Sequence, residues 1–442
     1  MENIKPATTI TKTVYVTNTG TLNTSYNLVW QQLINEITND EVVIEGTCTR
    51  MNGTTEEVDG TCDGIKNTPI KKLKIKENIS IEPNIVHKYD LTITFKEINS
   101  DQNYNQDKNF SGVIGINEYK SDGSLYCSYD GEMVQGAEFV NGAYTYRYKQ
   151  EGKFNKDVLV DWQDAEGDGW GVQLTDKTST DPIEVETCTY INNKPVIYAS
   201  MMFSNSKATS IDLSKTNTSK IQTFSGMFNR SAAKTINFKN VDTSNVVAMD
   251  AMFEGAAVES FDLSGFDTSN VTAFDYMFNL TKATEIIELD RMDTGNVTNM
   301  SEMFRETKFT SIDLSNFNTS KVVDMSRIFR DSKMTKLDVS NFDTRNVKTM
   351  LQMFNRSAAT EIIGLTNFDT TSVEIMEYMF NSAVVEELDL SSFDITNTSN
   401  IKNMFNGCKS KIGYAKDEET ALKFNDSSVT KIPSTLVFTV KQ

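Results

Sequence analysis

Six acidic residues, Asp212, Asp262, Glu288, Asp313, Asp338 and Asp389, recur at one place in a repeating pattern. Each lies between two apolar residues, as in Ile312-Asp313-Leu314 and Leu337-Asp338-Val339. In a strand, such a carboxylate points away from the apolar side. Stacked strands sit about 4.8 Å apart, and carboxylates in that row repel one another even after screening. The row has two readings. It keeps a solenoid face hydrated, with Thr, Ser and Lys as neighbours, or it recognises cations and cationic protein patches. Asn237 and Gly364 occupy the same column without a charge.

Other chemistry-bearing residues are sparse. His87 is the only histidine, and without an H-E-x-x-H pair a zinc protease of the usual kind has no ligands. In "NIVHKYD" it reads as a surface residue between strands, with no sequence neighbour to build a Ser-His-Asp or Cys-His arrangement. No Gly-rich phosphate loop occurs. "DWQDAEGDGWG" sets Asp161, Asp164 and Asp168 among glycines. That is faintly like a calcium loop, but it lacks the bidentate Glu and the ligand alternation. Trp162 and Trp170 read as packing rather than as a carbohydrate platform. Cys48 and Cys62 flank the polar loop "CTRMNGTTEEVDGTC". A bridge there would be worth about 3 kcal/mol in the chain-entropy model; the alternative is two unpaired thiols in neighbouring strands. No cofactor is expected.

Repeats must position the acidic row. A Met-Phe pair begins at 202, 227, 252, 277, 303, 353, 379 and 404, with Ile-Phe at 328, in steps of 25 or 26 residues. Sixteen and fourteen residues before the Met stand two apolar columns, such as Leu337 and Val339, which share one face of a short strand. Val347, Met350, Met353 and Phe354 follow with the spacing of one helical face. Each unit therefore predicts a strand, a bend and a short α or 3-10 segment. The Asp-Thr pair before that segment, as in Asp343-Thr344, suits an N-cap or an Asx-turn. The Met-Phe pair predicts the inner wall of a coil that only stacking can bury. The extra residue of the 26-residue steps, in "ATEIIEL" and "ATEIIGL", predicts a bulge just before the strand.

The rest of the chain frames this array. Residues 1–120 carry short Val-, Ile-, Thr- and aromatic-rich runs punctuated by Gly, Asn and Asp, as expected of an antiparallel, Ig-like β-sandwich. Residues 121–200 form an aromatic-rich β segment placed to cap the solenoid. Residues 201–408 are the repeats, and 409–442 a C-terminal cap with a helix and a last strand. A net charge of −18 excludes nucleic acid and anionic lipid as natural partners. "MENIKPATTITKT" has no apolar signal region, and no run of 18 apolar residues predicts membrane insertion.

"IDLSNFNTSKVVDMSRIF" (312–329) and "FDLSGFDTSNVTAFDYMF" (261–278) are similar to the bacterial BspA-type leucine-rich repeat, over about half the chain. "KTVYVTNTGTLNTSYNLVW" resembles, more weakly, the β-sandwich of TasA- and camelysin-like exported proteins. The resemblance implies a leucine-rich-repeat solenoid with a parallel sheet, in a bacterial extracellular or cell-surface protein with a binding or adhesive role. Its expected partners are proteins on host or bacterial surfaces. A structural spacer or matrix component, self-associating through the N-terminal domain, is the alternative. A carboxylate-dependent glycan hydrolase comes last, because no catalytic constellation stands out.

Overall fold

The computed structural model describes residues 6–53, 56–58, 62–70, 74–98, 100–105, 107–120, 122–150 and 167–441. The chain divides into two compact units, Met1–Gln150 with Thr187–Val196, and Glu151–Glu186 with Ile197–Gln442.

The first unit is built of β-sheet. One sheet sets the strand Thr9–Thr17 against Ile85–Phe95, which pairs in turn with Val42–Asn52; Glu56–Glu57 and Ile65–Pro69 also pair with Val42–Asn52. In a second sheet, Thr24–Asn35 lies between Lys74–Ile81 and Phe110–Tyr119, all antiparallel. Val16, Ile44, Tyr89 and Leu91 of the first sheet share one apolar cluster with Tyr26, Leu28 and Trp30 of the second. The cause is the period of two along each strand. In Ile85–Phe95 the odd-numbered residues His87, Tyr89, Leu91, Ile93 and Phe95 are all buried, while Lys88, Asp90, Thr92 and Thr94 alternate with them. His87 is thus a core residue, not the surface residue its sequence neighbours suggested. Two disulfides staple this unit, Cys48–Cys62 and Cys127–Cys188.

The second unit is a β-solenoid of about eleven turns over residues 170–440. Its short parallel strands pair in groups. Ile183–Glu184, Ser210–Asp212 and Thr235–Asn237 form one; Ser260–Asp262 pairs with Glu285–Ile287, and Lys336–Asp338 with Glu361–Ile363; Glu387–Leu390, Ile412–Ala415 and Val437–Val440 form the last. A second series of parallel bridges does not break: Tyr198, Thr223, Ala248, Ala273, Asn299, Asp324, Thr349, Ile375 and Asn400 pair in sequence.

The Met-Phe segment is not a helix, contrary to its spacing. Among the described residues of 201–408 there is no α-helix, and the 3-10 turns Leu289–Arg291 and Leu365–Asn367 lie elsewhere in the coil. Here the backbone alternates its partners. The N–H groups of Phe224, Gly226, Phe228 and Arg230 donate to the next coil, at Ala248, Asp250, Met252 and Glu254; those of Met227, Asn229 and Ser231 donate three residues back. A helix would direct every N–H within its own coil. The residues one before and three after the Met make the difference, for they hold positive φ. Ala251 (51°), Tyr276 (58°), Leu280 (58°) and Glu302 (57°) do so without being glycine. Only Gly visits that region without a steric cost.

Inside the coils the rings form a continuous stack. Phe203, Phe228, Phe253, Phe278, Phe304, Phe329, Phe354, Phe380 and Phe405 follow one another with centroids 5.5 to 6.1 Å apart and planes within 13°. All nine are fully buried, with the paired methionines beside them. Phe405 ends the stack against Phe424 of the helix Glu418–Asn425 and Phe438 of the last strand, at 5.5 and 4.8 Å. Thr218, Thr243, Thr319, Thr344 and Thr370 are buried too. The hydroxyl of Thr243 donates to the carbonyl oxygen of Asp267 at 2.8 Å and accepts from the Asp267 N–H at 2.7 Å, and this pair of hydrogen bonds recurs at Thr218, Thr319 and Thr370.

The bulge of the 26-residue coils follows the strand rather than preceding it. Phe261 pairs with Ile286 and Asp262 with Ile287, so Glu288 is the inserted residue; in the other such coil Asp338 pairs with Ile363, leaving Gly364. Both have positive φ and lead into a 3-10 turn.

Two substitutions test this packing by chemical denaturation. Phe304→Ala removes a ring from mid-stack and should cost about 3–5 kcal/mol. Ala251→Gly relieves a left-handed residue and should gain about 1 kcal/mol.

Candidate functional site on the strand face

The outward column of the strands is the candidate surface. Its residues are Asp212, Asn237, Asp262, Ile287, Asp338, Ile363 and Asp389, read from the pairing, and Asp313, read from its place in the repeat. Glu288 does not belong to it. The insertion moves Ile287 into the column, where it is 42% exposed, and turns Glu288 into a left-handed residue paired with Arg291 at 3.2 Å.

Each Asp in the column has a local structural task. An Oδ1 atom accepts the backbone N–H two residues on: Asp212 from Ser214, Asp262 from Ser264, Asp313 from Ser315, Asp338 from Ser340 and Asp389 from Ser391, at 2.8 to 3.1 Å. Asn237 makes the same bond to Lys239 at 3.0 Å. These are Asx-turns, which redirect the chain as the strand ends. Ile287 and Ile363 cannot accept that bond. Their coils instead turn through the inserted residue and its 3-10 turn, which accounts for the one-residue difference in length.

A parallel series stands at the next bend. Asp242, Asp267, Asp293, Asp343, Asp369 and Asp394 each accept from the N–H two residues on. Asn245, Asn270, Asn346 and Asn397 reach back to carbonyls of the previous coil. The sequence signal for the Asx-turns was the Asp-x-Ser/Thr spacing. Nothing in the sequence distinguished the buried bridging threonines from ordinary turn residues.

Hydrogen bonds hold these carboxyls below the ordinary Asp value of 3.8. The Ser340 hydroxyl and N–H lower Asp338, the Ser315 N–H lowers Asp313, and Ser264 lowers Asp262. At Asp389 burial works upward, but the Lys441 ammonium and Ser391 outweigh it. The column is therefore fully ionised at neutral pH.

Cationic partners are unevenly spread. Lys215 pairs with Glu184 at 2.7 Å, Lys336 with Glu361 at 3.1 Å and Lys441 with Asp389 at 2.5 Å. Among the described residues no ion pair reaches Asp262, Glu285 or Asp313. The strand ladder also opens after each 26-residue coil. Glu285, Ile286, Asp313, Asp338 and Ser340 line a cleft of about 940 Å³. Glu361, Glu386, Glu387 and Asp389 line a second of about 500 Å³. Glu285 was not singled out from the sequence, because its role depends on where the ladder opens.

The other candidate residues lie apart from this face. Asp161 and Asp164 fall outside the described residues, and Asp168 is half-buried just before the strand Gly169–Leu174, whose Trp170 is fully buried. Among the described residues, one group of His, Cys, Asp or Glu is close enough to share a cation: Cys48, Cys62 and His87 of the first unit. No described helix is long and apolar enough to cross a membrane.

Asparagine keeps the Asx acceptor while removing the charge, so the two contributions separate. Asp338→Ala should cost about 1 kcal/mol, whereas Asp338→Asn should leave thermal stability near wild type. These carboxyls titrate lower in the folded chain than in the unfolded one. Their contribution is complete above about pH 4 and lost as pH falls through the folded values. Melting temperature followed by circular dichroism should be level above that range and fall steadily below it.

A family model described as Mycoplasma protein of unknown function, DUF285, matches residues 197–307, 280–363 and 362–435. Neither the comparison with curated proteins nor that with solved structures finds a match. The three matched segments run without a gap from the first Met-Phe coil into the last strands, more than half of the chain. On that extent of agreement, this chain belongs to the DUF285 family.

Proposed function

We propose that the chain is a bacterial cell-surface binding protein whose solenoid presents its strand face to protein partners. In this reading the coils are leucine-rich repeats of the BspA type, and the first unit is a sandwich of the TasA and camelysin kind. The binding face is the stretch around Asp262, Glu285, Asp313 and Asp338, and its partners carry clustered Lys or Arg.

One observation carries the reading. Asp262 and Asp313, in the middle of the acidic row, are ionised, exposed and in no ion pair among the described residues, whereas Asp389 at its end is held by Lys441. Unpaired like charges held in register cost self-repulsion in the free protein. A basic partner relieves that cost on binding and is steered toward the face over a distance set by salt. A stack of coils is also stiff enough to present such a face with little ordering on contact, a common use of repeat solenoids.

The triple variant Asp262→Asn, Asp313→Asn, Asp338→Asn keeps the turns and removes three charges. Against immobilised host-matrix and bacterial-surface proteins, the wild type should bind in a salt-sensitive way. The variant should bind at least tenfold more weakly, with a flatter salt dependence. Equal binding by both would remove the acidic face from the account.

A further inference from the structure

The first unit contains a side-chain cluster that the strand-face reading does not use. Cys48 sits on Val42–Asn52, opposite Tyr89 of Ile85–Phe95; His87, on the same strand as Tyr89, is the next inward residue. The sulfurs of Cys48 and Cys62 and a ring nitrogen of His87 lie within 4.8 Å of one another. Cys48 and His87 are buried, and Cys62 is half-buried.

His87 is fixed in place. The Tyr26 hydroxyl bonds its Nδ1 at 2.9 Å, and Tyr26 bonds Tyr89 at 2.9 Å. Holding Nδ1 in this way orients the ring and leaves Nε2 to ligate, as the outer-shell partners of metal-bound histidines do. A disulfide needs no imidazole beside it. The inward face of this strand is otherwise Tyr, Leu, Ile and Phe.

We propose that reduction of the Cys48–Cys62 bridge opens a three-ligand site for a soft cation, copper(I), held by two thiolates and the His87 imidazole. Thiolates select soft cations. Three ligands complete a trigonal copper(I) centre, whereas zinc on the same two cysteines and histidine needs a fourth ligand such as water. A small-molecule thiol is the reductant. Two equivalents give two electrons to the bridge, the S–S bond breaks, each cysteine sulfur takes a proton, and the two reductant sulfurs join as their own disulfide. Binding of the cation then releases the two thiol protons to water. The bridge and the metal site exclude each other, so the redox state decides which of them staples the loop.

The test uses the full chain, reduced with a thiol and freed of it without oxygen. Copper(I) is titrated against a colorimetric chelator, with zinc(II) as a parallel arm. One equivalent of copper(I) should be retained, with a thiolate-to-metal absorption band. Cys48→Ser and His87→Gln should each weaken retention at least tenfold, while Cys127→Ser should not. Alkylation of the wild-type chain, read by peptide mass, guards against variants that misfold. Copper(I) should slow labelling of Cys48 and Cys62 at least tenfold and leave Cys408 unchanged. Tighter retention of zinc than of copper, unchanged retention in His87→Gln, or equal protection of all five cysteines would each overturn the site.

Discussion

One coil of this solenoid has nothing to fold around except its neighbours. The Met-Phe pair presents a flexible thioether and a large ring to the interior, and neither finds cover within its own 25 residues. Each ring is buried by the rings before and after it, so every coil must adopt the same register. The stack from Phe203 to Phe405 is the visible form of that constraint. Fully burying a large apolar side chain contributes roughly 1.5–3 kcal/mol. The same contribution, repeated in every coil, offsets the cost of ordering chain that has no globular core.

The backbone follows from the rings. To keep each Phe over the next, the Met-Phe segment directs alternate N–H groups to the neighbouring coil, as Phe228 does to Met252 and Phe253 to Met277. That pattern requires left-handed residues one before and three after the Met, and they are accepted even at Leu280 and Tyr276. The strand side is governed less tightly. There the ladder breaks after Thr235–Asn237, Glu285–Ile287 and Glu361–Ile363, and the acidic clefts lie at the last two of these breaks. A continuous inner ladder and a broken outer one therefore give a stiff body with local recesses on the face proposed to bind.

The repeats, their inner wall and the short strands were legible because each rests on a periodicity in the chain. The conformation of the Met-Phe segment was not. Apolar residues at steps of three, three and one fit one face of a helix, but they fit equally a turn series whose other hydrogen bonds leave the coil. Sequence spacing reports which side chains share a face and is silent on where the N–H groups point. The same limit placed Glu288 in the acidic column. Counting back from the Met assumes that the extra residue precedes the strand, and only the pairing of Asp262 with Ile287 reveals that it follows. His87 was within reach: the alternation from His87 to Phe95 marks its face as the core face. The Cys127–Cys188 bridge was not, since five cysteines leave the pairing open.

Hydrogen exchange resolved by residue gives the most direct test of the stack as the organising element. The amides of Phe228, Phe253, Phe278, Phe304, Phe329, Phe354 and Phe380, which all donate to the next coil, should share one slow rate set by unfolding of the whole array. The amides of 311–313, where the strand ladder is open, should exchange many times faster. If the Phe amides exchange at rates that differ from coil to coil, or as fast as those of 311–313, the rings do not hold the coils together.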